Sequence, residues 1–103
     1  MATIEEKFAF HKEQCDKLNP LYIAKNTDYD DSFSKGIDSM GYMSALVRMD
    51  DKMNRIKALL TAPDGTAKVE DESVSDTLLD LANYSLMLLT EYELRKDSVD
   101  LKT

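Results

Sequence analysis

The sequence predicts an all-α fold, a small helical bundle, because helix breakers are rare and apolar residues recur at helical spacing. The 103 residues include only 3 Gly and 2 Pro, whereas small sheet-rich domains use glycine in their hairpin turns. Between residues 37 and 60 the apolar positions repeat every three or four residues, which is typical of an amphipathic helix. A chain of this length allows one small domain, so we expect residues 1–103 to form a single helical domain.

Helix breakers and capping residues place the predicted elements along the chain. Thr3 and Glu6 have the spacing of a capping box, so a first helix opens there and is expected to close at Pro20. Residues 21–26 then form a short second helix or an extended arm, and residues 28–35 form a polar loop. Two long antiparallel helices follow, over about 37–60 and 73–96, with a turn at 63–65 between them.

The composition favours a cytoplasmic protein and excludes several classes of function. The 20 acidic residues outnumber the 13 basic ones, which argues against general DNA or RNA binding because that needs a basic surface. Cys15 and His11 are the single residues of their types, so an intrachain disulfide and thiolate- or histidine-rich metal sites are excluded. The sequence has neither a long apolar stretch nor a signal peptide, and we expect no membrane partner.

Acidic residues cluster at the start of the last predicted helix. Five acids and no basic residue lie between residues 70 and 80, and Asp76, Asp80 and Asn83 share one face through their i, i+4, i+7 spacing. The helix is apolar on nearly every side after residue 77, so Asp80 needs a cation or several hydrogen-bond donors. Mg²⁺ or a basic partner would supply that charge. The alternative is that the first acids merely favour the helix N-terminus, with Asn83 bridging two helices.

A basic stripe lies on the preceding predicted helix, where Arg48, Lys52 and Arg55 have i, i+4, i+7 spacing. In an antiparallel pair of helices this stripe meets the face that carries Asp76 and Asp80. Two interpretations remain open at this point. Either the two faces neutralise each other as a structural ion-pair network, or they border a pocket where carboxylates hold a metal and cations hold phosphate.

A third group of polar residues lies in and before the predicted loop. Lys25, Asn26 and Tyr29 combine hydrogen-bonding groups with an aromatic ring, which can stack on a nucleotide base and bind its edge. The alternative is an ordinary connection between helices whose aromatic residues anchor it to the core.

Three blocks of sequence, in this order, resemble a phage protein family. They are Lys-Asn-x-Asp-Tyr-x-Asp-Ser-Phe at 25–33, Arg-x-x-Asp-Lys-x-x-Arg at 48–55 and Asp-Glu-Ser-x-x-Asp-Thr-Leu-x-Asp-Leu-Ala-Asn-Tyr at 71–84. The family is the nucleotide-modification-associated domain family, within the all-α nucleoside-triphosphate pyrophosphohydrolase superfamily of MazG and dimeric dUTPases. The resemblance covers roughly residues 20–90, and Asp30 stands where the family's loop is expected to have glycine.

The superfamily resemblance implies a helical bundle, usually dimeric or tetrameric, in which acids on two antiparallel helices hold Mg²⁺ against nucleotide phosphates while water attacks. Its Glu-x-x-Asp motif falls on Thr-x-x-Asp at 77–80, so Asp80 is the safer match. Its Glu-Glu-x-x-Glu motif falls on Asp-Asp-x-x-Asn at 50–54, with shorter acids, a neutral amide and the intruding charges of Lys52 and Arg55. The resemblance therefore supports nucleotide binding better than turnover, and no residue is assigned as catalytic.

Two functions of different classes follow. We predict a binding module that captures a nucleotide or nucleotide-derived signal with Lys and Arg, and that sequesters such a signal of anti-phage defence in the cytoplasm of an infected bacterium. The alternative is a Mg²⁺-dependent pyrophosphohydrolase that converts a (deoxy)nucleoside triphosphate to monophosphate and pyrophosphate. A purely structural helical subunit is the third interpretation, and it leaves Asp80 and the basic stripe unexplained. The predicted metal ligands are Asp51, Glu72, Asp76 and Asp80, and the predicted nucleotide contacts are Lys25, Asn26, Tyr29, Arg48, Lys52, Arg55 and Asn83.

Methionines indicate a homo-oligomer. The chain has six of them, and four (Met40, Met43, Met49 and Met53) lie on the helix predicted over 37–60. This is more apolar surface than three helices can cover, so we expect a dimer or higher oligomer to complete the bundle.

Overall fold

The computed structural model confirms the all-α class. Within residues 1–62 and 71–102, which the structure describes, the chain forms four α-helices and no strand. They are α1 (Ile4–Asp28), α2 (Ser32–Met40), α3 (Met43–Thr61) and α4 (Asp71–Lys102). Side chains are described for residues 1–62 and 74–96, so the turn predicted at 63–65 lies outside the described residues. None of these helices, over the described residues, has the length and hydropathy that crossing a membrane requires.

The chain divides into two compact units, Met1–Ser32 and Phe33–Thr103. The first contains α1 and the turn that follows it, and the second contains the rest of α2 together with α3 and α4. The single-domain organisation expected from the sequence stays a prediction.

Helix α1 begins as the sequence predicts, but the expected end at Pro20 is wrong. The side chain of Thr3 accepts a hydrogen bond from the backbone N–H of Glu6 at 3.1 Å, which caps the helix. Pro20 lies inside α1, and residues 21–26 continue the helix instead of forming a separate helix or an arm. Proline removes one backbone donor from the helix, and the remaining bonds on either side are enough to carry the chain through it. No residue of α1 is buried.

A turn of three residues follows α1, so the polar loop predicted over 28–35 is wrong in extent. The backbone N–H of Tyr29 donates to the carbonyl of Lys25 at 3.0 Å and ends the helix. Asp30 and Asp31 then take φ values of +53° and +56°, in the left-handed region that favours glycine. Aspartate tolerates this region better than most residues because its short side chain can form local hydrogen bonds. Residue 30 thus has a backbone conformation that favours glycine, which is the residue expected there from the family.

The single helix predicted over 37–60 is wrong, because Gly41 divides it into α2 and α3. Gly41 has a φ of +73°, and its N–H donates to the carbonyl of Ile37 at 2.8 Å, which is a left-handed helix cap. The apolar spacing continues through Met40 and Met43, and this continuity hides the break from a periodicity argument. The last helix is also longer than the predicted 73–96, since α4 covers Asp71–Lys102.

Helices α3 and α4 are antiparallel, as predicted. Tyr42, just before α3, lies with its ring 6.1 Å from that of Tyr92, while Lys52 near the middle of α3 contacts Asp80 in the first half of α4. The core of this unit consists of Phe33, Ile37 and Ala45, packed against Tyr84, Met87 and Leu88 of α4.

Helix α2 approaches α3 closely at Gly36. A Cβ atom on Gly36 would lie 3.0 Å from Oγ of Ser44, so the Ser44 side chain would have to shift to make room for it. Glycine at this position therefore lets α2 pack directly along the first turns of α3.

A hydrogen-bonded cluster around Arg95 fastens α2 to α4. The guanidinium donates to Asp38 at 2.8 Å, to Glu91 at 3.0 Å, and to both the carbonyl and Oγ of Ser34 at 3.0 Å. Ser34 in turn donates to Glu91 at 3.0 Å. The hydrogen bond to Asp38 raises the pKa of Arg95 above its ordinary value, so the cation persists throughout the accessible pH range. The planar guanidinium serves four acceptors at once, which a lysine cannot do.

We predict that Arg95→Lys loses about 2 kcal/mol of unfolding free energy, because hydrogen bonds to charged groups contribute about 1.5–3 kcal/mol. Lys96→Ala is the matched control, since Lys96 is the next residue of α4 and is exposed. The control is expected to lose less than about 0.5 kcal/mol. Urea unfolding followed by circular dichroism measures both, and equal losses would show that the Arg95 cluster adds no stability.

We also predict that Asp30→Val destabilises the first unit by about 1–2 kcal/mol relative to Asp30→Gly, because a β-branched residue is disfavoured at positive φ. Both variants remove the Asp30 carboxylate, so their difference isolates the backbone conformation. Thermal unfolding of the two variants, side by side, provides the measurement. Equal midpoints would contradict the left-handed backbone at residue 30.

Candidate functional site

The predicted meeting of basic and acidic faces takes place between Lys52 and Asp80. Nζ of Lys52 lies 3.3 Å from Oδ2 of Asp80, and the two side chains are 30% and 27% exposed. The antiparallel packing of α3 and α4 produces this contact, because it brings the middle of α3 beside the first half of α4. The pair is partly shielded from water, so its charges attract each other more than those of a fully exposed pair do.

The other two residues of the basic stripe have different surroundings. Arg48 is half-buried, and its guanidinium carbon lies 5.8 Å from the centre of the Phe33 ring, at cation–π distance. Arg55 is exposed, three residues beyond Lys52 on α3. The three cations therefore do not form one uniform surface: Arg48 packs against α2, Lys52 pairs across to α4, and Arg55 is open to solvent.

The acidic face of α4 divides in the same way. Asp76 is exposed, whereas Thr77 and Asn83 are buried, at 4% and 8% exposure. Thr77, Asp80 and Asn83 all take part in polar or electrostatic interactions. Over the described side chains, no buried nitrogen or oxygen lacks a hydrogen-bond partner. Asn83 thus lies in the protein interior, as its position beside the apolar part of the helix predicts.

The residues at the first metal motif are engaged or exposed. The Asn54 side-chain amide donates to Oδ2 of Asp50 at 3.3 Å, and Asp51 is exposed. The Glu72 side chain lies outside the described residues. Among the side chains that are described, no three His, Cys, Asp or Glu residues come together as a group that could hold a metal ion. Mg²⁺ binding by Asp51, Glu72, Asp76 and Asp80 therefore stays a prediction.

The candidate residues near the first turn belong to the first unit. The Asn26 amide donates to Oδ1 of Asp31 at 3.2 Å, and the N–H of Asp31 donates back to the carbonyl of Asn26 at 3.0 Å. Asn26 therefore stabilises the turn. Lys25 and Tyr29 are exposed, and the Tyr29 ring is accessible for stacking.

Two contacts of the second unit were not predicted from the sequence. The rings of Phe33 and Tyr84 stack at 5.9 Å with an interplanar angle of 14°, directly beside Arg48. The Arg95 cluster was also missed, although the i, i+4 spacing of Glu91 and Arg95 was a visible signal for half of it. Both contacts depend on how α2 lies against α4, which periodicity within one helix does not reveal.

The fold and this site define an all-α protein with a cation–carboxylate contact between two antiparallel helices. A family model described as nucleotide modification associated domain 1 matches residues 25–91, about two thirds of the chain and a range that includes every candidate site residue. The chain belongs to this family, and its membership indicates a role linked to nucleotides. No curated protein and no solved structure matches the chain. Placement within the MazG and dimeric dUTPase superfamily stays a prediction.

We predict an energetic coupling of about 1 kcal/mol between Lys52 and Asp80, because residues in contact in one ion pair are not independent. Unfolding free energies of Lys52→Gln, Asp80→Asn and the double variant measure this coupling. Arg55→Gln combined with Asp80→Asn is the control cycle, with a coupling near zero expected. Equal coupling in the two cycles would show that Asp80 interacts with Lys52 no more strongly than with Arg55, and that the Lys52–Asp80 contact is not a specific pair.

Proposed function

We propose that the protein captures a nucleotide by its phosphates at the contact between α3 and α4, with Lys52 as the main phosphate ligand. The observation that carries this proposal is the partly exposed Lys52–Asp80 pair, at 3.3 Å, in a chain of a nucleotide-associated family. A lysine held by a carboxylate is already oriented and partly desolvated, so it binds an anion with less loss of side-chain entropy than a free lysine does.

Phosphate competes with Asp80 for the same ammonium group. A terminal phosphate carries more negative charge than a carboxylate and offers several acceptor oxygens. Lys52 has three N–H donors, so it can turn toward the phosphate while it keeps a weaker contact with Asp80. Capture therefore needs no new fold element and only a local rearrangement of one side chain.

Arg55 supplies the second phosphate contact in this proposal. It lies one turn along α3 from Lys52 and is exposed, so its guanidinium is free to follow the phosphate chain of a nucleotide. An arginine can bind two phosphate oxygens at once, which adds geometric selectivity. Arg48, held over Phe33, supports the position of α2 instead.

Capture is favoured over hydrolysis by the side chains at the metal-motif positions. Asp80 has an ammonium neighbour, and Asp50 accepts from the amide of Asn54. These contacts already satisfy, in part, the charges that a Mg²⁺ ion would otherwise balance. Capture without turnover also fits the sequestration of a nucleotide signal, which is the role that we propose for the protein.

Calorimetry with a panel of nucleoside mono-, di- and triphosphates and cyclic nucleotides tests this proposal. Each ligand is titrated in EDTA and in Mg²⁺, and the products are then separated by ion-exchange chromatography. We expect stoichiometric binding of at least one ligand, which is recovered intact. Release of monophosphate and pyrophosphate would instead establish the pyrophosphohydrolase, and absence of binding across the panel would refute both functions.

We predict that Lys52→Gln weakens binding of that ligand about tenfold or more, equivalent to about 1.4 kcal/mol. Lys96→Gln, an exposed lysine outside the matched segment, is the control and is expected to bind normally. Asp80→Asn distinguishes phosphate binding by Lys52 alone from phosphate binding through a metal ion held by Asp80. In EDTA it is expected to bind no more weakly than the unaltered protein, because removal of a like charge near the phosphate offsets the lost orientation of Lys52. Loss of binding by Asp80→Asn, seen only with Mg²⁺, would show that Asp80 holds a metal.

A further inference from the structure

Helix α3 has two apolar faces, and only one of them is packed. Ala45 and Ile56 are buried on the face that meets the rest of the second unit. On a neighbouring side of the helix, Met43, Leu46, Met53 and Leu60 are between 40% and 64% exposed. Several large apolar side chains exposed together along one side of a helix are typical of an interaction site.

The exposed row follows a heptad pattern. When Asp50 and Lys57 are included, steps of three and four residues alternate along it, as they do at the a and d positions of a coiled coil. All of its residues are exposed on α3. We call this row the α3 seam: Met43, Leu46, Asp50, Met53, Lys57 and Leu60.

About Met53 the α3 seam is symmetric in Leu46 and Leu60 and antisymmetric in its charges, whereas Met43 has no symmetry counterpart in the seam. Leu46 and Leu60 each lie seven residues from Met53. Asp50 lies three residues before Met53, and Lys57 lies four residues after it. A two-fold axis beside Met53 would therefore place Leu46 opposite Leu60 of the partner subunit. It would also place Asp50 within one residue of Lys57 of the partner subunit, and each contact would occur twice in the dimer.

We propose that the α3 seam binds the α3 seam of a second copy of this chain, antiparallel and about a two-fold axis beside Met53. In a two-fold interface, each residue that contacts a partner residue is contacted by it in return. The seam meets this requirement, because Asp50 approaches Lys57 of the partner subunit and Lys57 approaches Asp50 of the partner subunit.

Charge disfavours a parallel second copy and a purely apolar partner at the seam. A parallel pairing would bring Asp50 against its own equivalent and Lys57 against its own, and both like-charge contacts are unfavourable. A purely apolar partner would bury Asp50 and Lys57 without opposite charges, which is unfavourable. An antiparallel second copy gives each charge an opposite charge and places Leu46 opposite Leu60 of the partner subunit.

This pairing leaves the Lys52–Asp80 contact uncovered, because Lys52 lies on the face of α3 directed at α4. The inference is therefore independent of the proposed nucleotide function. It also gives a specific interface to the homo-oligomer expected from the methionine content.

Charge reversal with measurement of the oligomeric state tests the proposal. Light scattering after gel filtration is expected to give a dimer for the unaltered protein. Asp50→Lys and Lys57→Asp should each weaken the dimer about tenfold or more, since every interface then carries two like-charge contacts, and the double variant should restore it. Glu93→Lys, an exposed reversal on α4, is the control and should leave the dimer unchanged. Circular dichroism verifies that each variant is folded.

Disulfide trapping tests the position of the axis. Cys15 is exposed, so the experiment uses a Cys15→Ser background. Met53→Cys in that background is expected to form an intermolecular disulfide when the two thiols are oxidised by diamide. Leu94→Cys, an exposed position outside the seam, is the control and should not. A monomeric unaltered protein, or an oligomer that neither single charge reversal weakens, would overturn the proposal.

Discussion

At Gly41 the backbone takes a φ of +73°, and this turn brings α2 back along the first part of α3. The close approach of Gly36 to Ser44, the placement of Phe33 and Ile37 beside Ala45, and the position of Arg48 over Phe33 all require that reversal. A residue with a Cβ atom would resist this conformation by about 1 kcal/mol or more. The packed core of the second unit therefore depends on a backbone conformation that glycine alone adopts without strain.

The helical class follows from composition, but the helix ends do not. Scarce glycine and proline, together with helical spacing, indicate the all-α fold correctly. The break at Gly41 stays hidden because Met40 and Met43 continue the apolar pattern on both sides of it. Pro20 leads to the opposite error, because it predicts a helix end where the helix continues. Proline weakens a helix by one hydrogen bond without necessarily ending it. Periodicity reports which face is apolar, whereas the ends depend on individual backbone hydrogen bonds.

In the candidate site, contacts that depend on one pair of helices could be predicted from the sequence, and contacts that depend on a third helix could not. The contact of Lys52 with Asp80 could be predicted because it needs only two antiparallel helices in register. The surroundings of Arg48 could not be predicted, because they depend on Phe33 in a third helix whose position is set by Gly41. Placement of the metal-motif acids also requires the relative rotation of two helices, which the sequence pattern leaves undefined.

The cluster around Arg95 extends beyond the segment that the family model matches. The family match stops at residue 91, so Arg95 lies beyond the matched segment, although it is the cation that holds Ser34, Asp38 and Glu91 together. A polypeptide trimmed to the matched segment would retain the two carboxylates without their shared counter-ion. In this chain the folded unit is therefore longer than the segment defined by sequence similarity, because the guanidinium that joins α2 to α4 lies beyond residue 91.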